Sequence, residues 1–220
     1  MYRVTDLFDL SHSLAGEYLF GFEFPWQALD GIGAFIESLF PSLSGSEYRC
    51  VKEGVYVHVT AEVAPTACLN GPCIVGARAQ IRHCAFIRGN ALVGEDCVVG
   101  NSVELKNVIL FDGVQVPHFN YVGDSVLGYK AHMGAGAITS NVKSDKSLVV
   151  IRGNDLKIST SRKKVGAFLG DHVEVGCNCV LNPGTVVGRN TRVYPLLSLR
   201  GVYPENSIVK TADKATPQNK

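Results

Sequence analysis

The chain has 220 residues, 46% of them hydrophobic and 19% charged, with a formal net charge of +1. That composition supports a sizeable core, and near-neutrality argues against nucleic acid or an anionic membrane as the main partner. No run of about 18 apolar residues is present to span a bilayer, and the N-terminus lacks the basic start and apolar stretch of a secretory signal, so the expected location is cytoplasmic.

Residues 1–48 carry no repeat. Pro25 precedes Trp26, Leu29, Ile32, Phe35, Ile36, Leu39 and Phe40, a three-and-four spacing that predicts an amphipathic helix with proline in its first turn and Pro41 as its stop. From Val57 onward the pattern changes. Val57, Val63, Leu69, Val75, Ile81, Ile87, Val93, Val99, Leu105 and Phe111 stand at intervals of six, and small or modest residues such as Ala61, Ala67, Cys73, Ala79, Ala85, Ala91, Cys97 and Val103 follow four places on. Six fits neither a helix nor a simple strand alternation, so the chain must turn a corner every hexad. Three hexads make one triangular coil, stacked on the next by parallel strand pairing. Beyond Phe111 the register is expected to slip. It resumes at Leu127 and Met133 and again at Leu169, Val175, Leu181, Val187, Val193 and Leu199.

The predicted fold is therefore all-β, a parallel β-helix of hexapeptide repeats preceded by a short helical segment. The expected division is 1–48, then a β-helix over 49–203 with an inserted loop at 141–164, then a polar, mobile tail at 204–220. The helical segment is expected to cap the open end of the solenoid or to dock a partner. The inserted loop concentrates Arg152, Lys157, Arg162, Lys163 and Lys164; it reads as a solvated loop or an anion site. Seven cysteines, odd in number and without a compact framework, read as reduced thiols. Cys177 and Cys179 form C-x-C without a second pair, so no metal is expected.

Arg88 and Lys106 are three hexads apart and each directly follows an inward apolar residue. One coil apart on one face, two like charges need a negative group, either Glu104 or Glu95 nearby or a bound phosphate. The register slip contains Pro117-His118-Phe119-Asn120-Tyr121-Val122-Gly123-Asp124. A histidine there is aimed out of the regular wall, and its ordinary pKa of about 6.5 suits a general base near neutrality.

Pairs such as Val75-Gly76, Val93-Gly94 and Val175-Gly176 resemble the signature of the hexapeptide-repeat transferases, which implies a left-handed helix. The segments VGNSVELKN, PHFNYVGDSVLG, MGAGAITSN and KVGAFLGDHVEVG resemble the acetyltransferase domain of bifunctional N-acetylglucosamine-1-phosphate uridyltransferases and related sugar-1-phosphate nucleotidylyltransferases. The resemblance covers about the last three quarters of the chain. It implies transfer of acetyl from acetyl-CoA to the amine of a hexosamine 1-phosphate, glucosamine 1-phosphate first, in nucleotide-sugar synthesis. His118 matches the family's base. Arg88, Lys106 and Tyr121 match its phosphate-holding residues, Asn141 a residue at the sugar, and Lys146 lies one place from its loop lysine. Ala135 matches a backbone amide facing the acetyl group, and Cys177 and Pro195 match positions lining the acetyl-CoA groove. Relatives act as homotrimers. This chain departs from them at His132, where they carry asparagine, and at Val142, where many carry tyrosine. No glycine-rich nucleotide loop precedes the match, so uridyltransfer is not expected. Two other classes are weighed. A γ-class carbonic anhydrase would need three zinc-binding histidines, and His83, His118 and His132 lack the close pairing. A non-catalytic regulatory or scaffolding module related to the nucleotidyltransferases is the alternative function.

Overall fold

The computed structural model describes residues 1–153, 156–212 and 214–217. Short strands stack in parallel through successive coils to form a left-handed parallel β-helix. Tyr56 pairs with Ile74, and Ile74 with Leu92, each step being three full hexads. Val75, Ile81, Ile87, Val93, Val99 and Leu105 point inward and are buried. The corners explain the period. Arg78, Cys84, Asn90, Asp96 and Ser102 stand six apart with φ between 49° and 57°. This left-handed conformation bends the chain sharply onto the next face at one residue, and the small residue that follows it re-enters the core.

The break in register comes earlier than Phe111. Leu105 pairs with Ile87, a full three hexads back, whereas the partner of Leu110 is Val93, one place short of that. One residue is lost at the corner where Asn107 takes the left-handed position. The next coil repeats the loss at Asp124, where Lys106 pairs with Gly123 and Val108 with Ser125. Leu110 therefore fills the inward position expected for Phe111. Phe111 is buried outside the coil instead, its ring 5.1 Å from that of Phe8. At these shortened corners Glu104–Leu110 and Tyr121–Leu127 run on as single strands, where the coil below has two, Phe86–Ile87 and Ala91–Val93.

One of the three faces is apolar on its outside as well. Ile74, Leu92, Ile109, Val126, Phe168 and Val186 form a cross-coil ladder pointing outward, and all are buried. The N-terminal segment covers this ladder, with Trp26 6.0 Å from Phe168 by ring centroids. It lies along the flank and does not cap the end; Val63, in the first coil, stays 37% exposed. Its helix also differs from expectation. Pro25–Gly31 is a 3-10 helix, and the α-helix Ile32–Leu43 continues beyond Pro41 to Leu43. Proline this late removes only the bond to Glu37, whose carbonyl lies in an exposed turn, and Ser44 N–H still reaches the Phe40 carbonyl at 3.0 Å.

Antiparallel pairing closes both ends of the solenoid: Tyr48–Lys52 on Val55–His58 at the start, and Lys214–Pro217 on Ser207–Thr211 at the finish. The segment expected to be a polar tail thus continues the fold, since Val193 pairs with Val209 and both Ser207 and Val209 are buried. The step from Val193 to Val209 falls short of three hexads, so a six-residue count misses this coil. Residues 213 and 218–220 of the expected tail lie outside the described residues.

Candidate functional site

The two shortened corners build a polar network. Asn107 and Asp124 are buried, unlike the exposed residues at regular corners such as Arg78, Cys84, Asp96 and Ser102. The Asp124 carboxylate accepts from Lys106 Nζ at 2.8 Å, Asn107 Nδ2 at 3.0 Å and Asn141 Nδ2 at 2.6 Å. Asn141 Nδ2 also donates to the Tyr121 hydroxyl at 3.1 Å. Arg88 stacks one coil from Lys106, and its guanidinium bonds Glu104 at 2.8 Å. Glu95 is engaged elsewhere, with Arg78. Glu104 and Asp124 therefore keep the stacked cations together.

Burial, reinforced by the Asp124 charge, pushes the Tyr121 phenol above its ordinary range, so it stays protonated. Its oxygen already accepts from Asn141, which leaves the phenolic proton to donate to an incoming anion. The hydrogen bond to Glu104, with its negative charge, raises the Arg88 guanidinium further above its ordinary value.

A second line of residues runs up one edge of the prism. His83, Asn101 and His118 are in register on successive coils. Above them come Ala135, whose neighbour Gly136 donates to the His118 carbonyl at 3.0 Å, then Cys177 and Pro195. The His118 backbone is held by Asn120, whose buried side chain accepts from the His118 N–H at 3.1 Å and donates to the Gly134 and Ala137 carbonyls. The His118 ring is exposed and has no hydrogen-bond or ionic partner among the described residues. The Ala135 N–H likewise donates to no acceptor among them. His118 and Ala135 are thus one coil apart, about 4.8 Å between backbones, with a free ring beside a free donor.

The inserted loop meets the network from the other side. Val150–Arg152 and Lys157–Ser159 form an antiparallel hairpin, and Val149 and Ile151 are buried. A bridge between Val142 and Lys164 closes its base. Arg162 ion-pairs with Asp30 and donates to the Gln27 carbonyl, joining the loop to the N-terminal segment. Burial holds its guanidinium below the ordinary value. Between these parts lies an open cavity of about 500 Å³ lined by Lys106, Asn107, Asp124, Asp30 and 161–164.

Of the residues singled out from sequence, Arg88, Lys106, Tyr121 and Asn141 are brought together, and His118, Ala135, Cys177 and Pro195 share one edge. Lys146 joins neither group. It sits exposed at a loop turn with φ 55°, its N–H on the Lys143 carbonyl. His132 is hydrogen-bonded to Glu174 at 2.8 Å and stacks on Gln115, three residues before His118. Asp124 and Asn120 carry no signal of their own in the repeat; what marks them is a polar residue in a stretch where the hexad count fails. No group of three or more His, Cys, Asp or Glu able to hold a metal occurs among the described residues.

Residues 69–164 match the GMPPB C-terminal domain. The chain is 36% identical over 111 residues to the bifunctional sugar-1-phosphate nucleotidylyltransferase/acetyltransferase of Sulfurisphaera tokodaii, covering 50% of this chain and 28% of that protein. It is 33% identical over 175 residues to the bifunctional protein GlmU of Methanococcus vannielii, covering 76% of this chain and 41% of the relative. It therefore spans less than half the length of these relatives. Among solved structures, the UDP-N-acetylglucosamine O-acyltransferase LpxA of Moraxella catarrhalis is similar with a TM-score of 0.43 at 10% identity, over 74% of this chain and 72% of that one. The chain is thus similar, over half to three quarters of its own length, to bifunctional sugar-1-phosphate nucleotidylyltransferase/acetyltransferases.

Proposed function

We propose that the protein is an acetyl-CoA-dependent N-acetyltransferase acting on a hexosamine that carries an anomeric phosphate, with glucosamine 1-phosphate the minimal acceptor. One observation carries the reading: the partner-free His118 ring lies one coil from the unengaged Ala135 N–H. The acceptor phosphate sits against Arg88, Lys106 and the Tyr121 hydroxyl. Asn141, fixed by Asp124, faces the sugar. The amine attacks the thioester carbonyl as His118 takes its proton. The Ala135 N–H stabilises the oxyanion that forms on the carbonyl oxygen. Collapse of this intermediate breaks the C–S bond, and the proton held by His118 passes to the departing CoA sulfur. Cys177 and Pro195, further up the edge, lie along the CoA arm. Lys146 reaches this site only if the loop tip moves or a second subunit supplies it, and the working assembly in this reading is a cytoplasmic homotrimer.

The test is release of free CoA thiol from acetyl-CoA in the presence of glucosamine 1-phosphate, compared with galactosamine 1-phosphate. No release with either acceptor removes the enzymatic reading.

A further inference from the structure

The charge of the site is unevenly placed. On the strand face, Arg88 is neutralised by Glu104 and Lys106 by Asp124. In the adjoining cavity Arg162 is neutralised by Asp30. Lys163 and Lys164 have no carboxylate within ion-pair distance among the described residues, although both line the same cavity as Lys106. Four cations against two carboxylates leave two positive charges in the cavity. Both belong to the loop and share this cavity with Asp124, whereas Tyr121 and His118 are not among its lining residues. Two adjacent lysines so placed repel each other until an anion lies between them.

Lys106 is the hinge of this arrangement, since it contacts the strand-face network through Asp124 and also lines the cavity. A single phosphate beside Arg88, Lys106 and Tyr121 leaves Lys163 and Lys164 uncompensated. A second phosphate, joined to the first and pointing away from the sugar, enters the cavity and meets them. The cavity of about 500 Å³ has room for that group and for part of what it is esterified to.

We propose that the anion pocket is two phosphates long, so that a nucleoside-diphosphate amino sugar is a better ligand of this site than the corresponding sugar 1-phosphate. The inference rests on the proposed function for the sugar end of the ligand and on Lys163 and Lys164 for the diphosphate end. Recognition of the second phosphate comes from the loop, the part of the chain that departs from the repeat.

Isothermal titration with UDP-glucosamine and with glucosamine 1-phosphate, on the full chain and on the Lys163→Ala/Lys164→Ala double variant, tests it. The unaltered protein is expected to bind the diphosphate about tenfold more tightly, and the double variant to bring the ratio of the two dissociation constants close to one. Equal affinities in the unaltered protein, no binding of either ligand, or a preference that survives in a variant with an unchanged melting curve each overturn the inference. Thiol release separates this from the proposed function. Diphosphate preference without acetyl transfer removes the activity and leaves the two-phosphate pocket, and acetyl transfer to glucosamine 1-phosphate without that preference does the reverse.

Discussion

Replacing Asp124 by alanine probes the corner on which the site is built. The Asp124 side chain is 5% exposed and holds Lys106 Nζ, Asn107 Nδ2 and Asn141 Nδ2 at 2.8, 3.0 and 2.6 Å. Its removal leaves three donors without their acceptor. Lys106, 28% exposed, can turn toward water, whereas the buried Asn107 Nδ2 keeps only the Leu29 carbonyl at 3.1 Å and loses its charged partner. Breaking a buried ion pair costs about 3–5 kcal/mol, and the partial exposure of Lys106 places this case near about 3 kcal/mol. For a chain of this length that is a fall of roughly 6–12 °C in melting temperature. Urea denaturation of Asp124→Ala, Lys106→Met and the double variant measures it. The double variant should cost at least about 1 kcal/mol less than the two singles together, because each single leaves the other partner stranded. A loss below about 1 kcal/mol for Asp124→Ala, or strict additivity, would mean that Asp124 does not anchor this corner.

Two further predictions concern the rest of the fold. Phe168→Ala opens the contact between the outward ladder and Trp26, and should cost about 3–5 kcal/mol; Trp26, the single tryptophan, should shift its emission to the red, and an unchanged spectrum with full stability would show that the segment does not depend on that ladder. Asp171 accepts from the Asp9 and Tyr129 N–H groups at 2.7 and 2.8 Å, yet burial pushes its carboxyl above the ordinary range. A carboxyl raised on folding weakens the fold when ionised, and stability returns as pH falls through the folded value. The melting temperature of the protein relative to Asp171→Asn should therefore rise between about pH 7 and pH 4, and a difference that shrinks over that range contradicts the assignment.

Much of this was legible in the sequence, for a simple reason. A solenoid converts sequence separation into spatial position, so counting three hexads from Arg88 finds Lys106, and the failure of the count finds the neighbourhood of His118 and Tyr121. The same count misleads where a corner loses a residue. Leu110 and Phe111 are both apolar, and only the pairing of Leu110 with Val93 tells which one faces inward. The outward ladder also leaves a trace, as apolar triplets such as Ala91-Leu92-Val93 and Ala167-Phe168-Leu169, but nothing local says what covers it. The cavity depends on Arg162, in the inserted loop, meeting Asp30 132 residues earlier, and no periodicity connects them. The final coil, from Val193 to Val209, hides for the opposite reason, a repeat too short to count.

In the proposed function the free ring of His118 is the base for acetyl transfer. The direct measurement is thiol release from acetyl-CoA with glucosamine 1-phosphate, for the protein and for His118→Ala. Because the ring is exposed and makes no contact on which the fold depends, the variant should melt at the same temperature while turnover falls by about a hundredfold or more. Equal turnover in the two proteins would contradict the account.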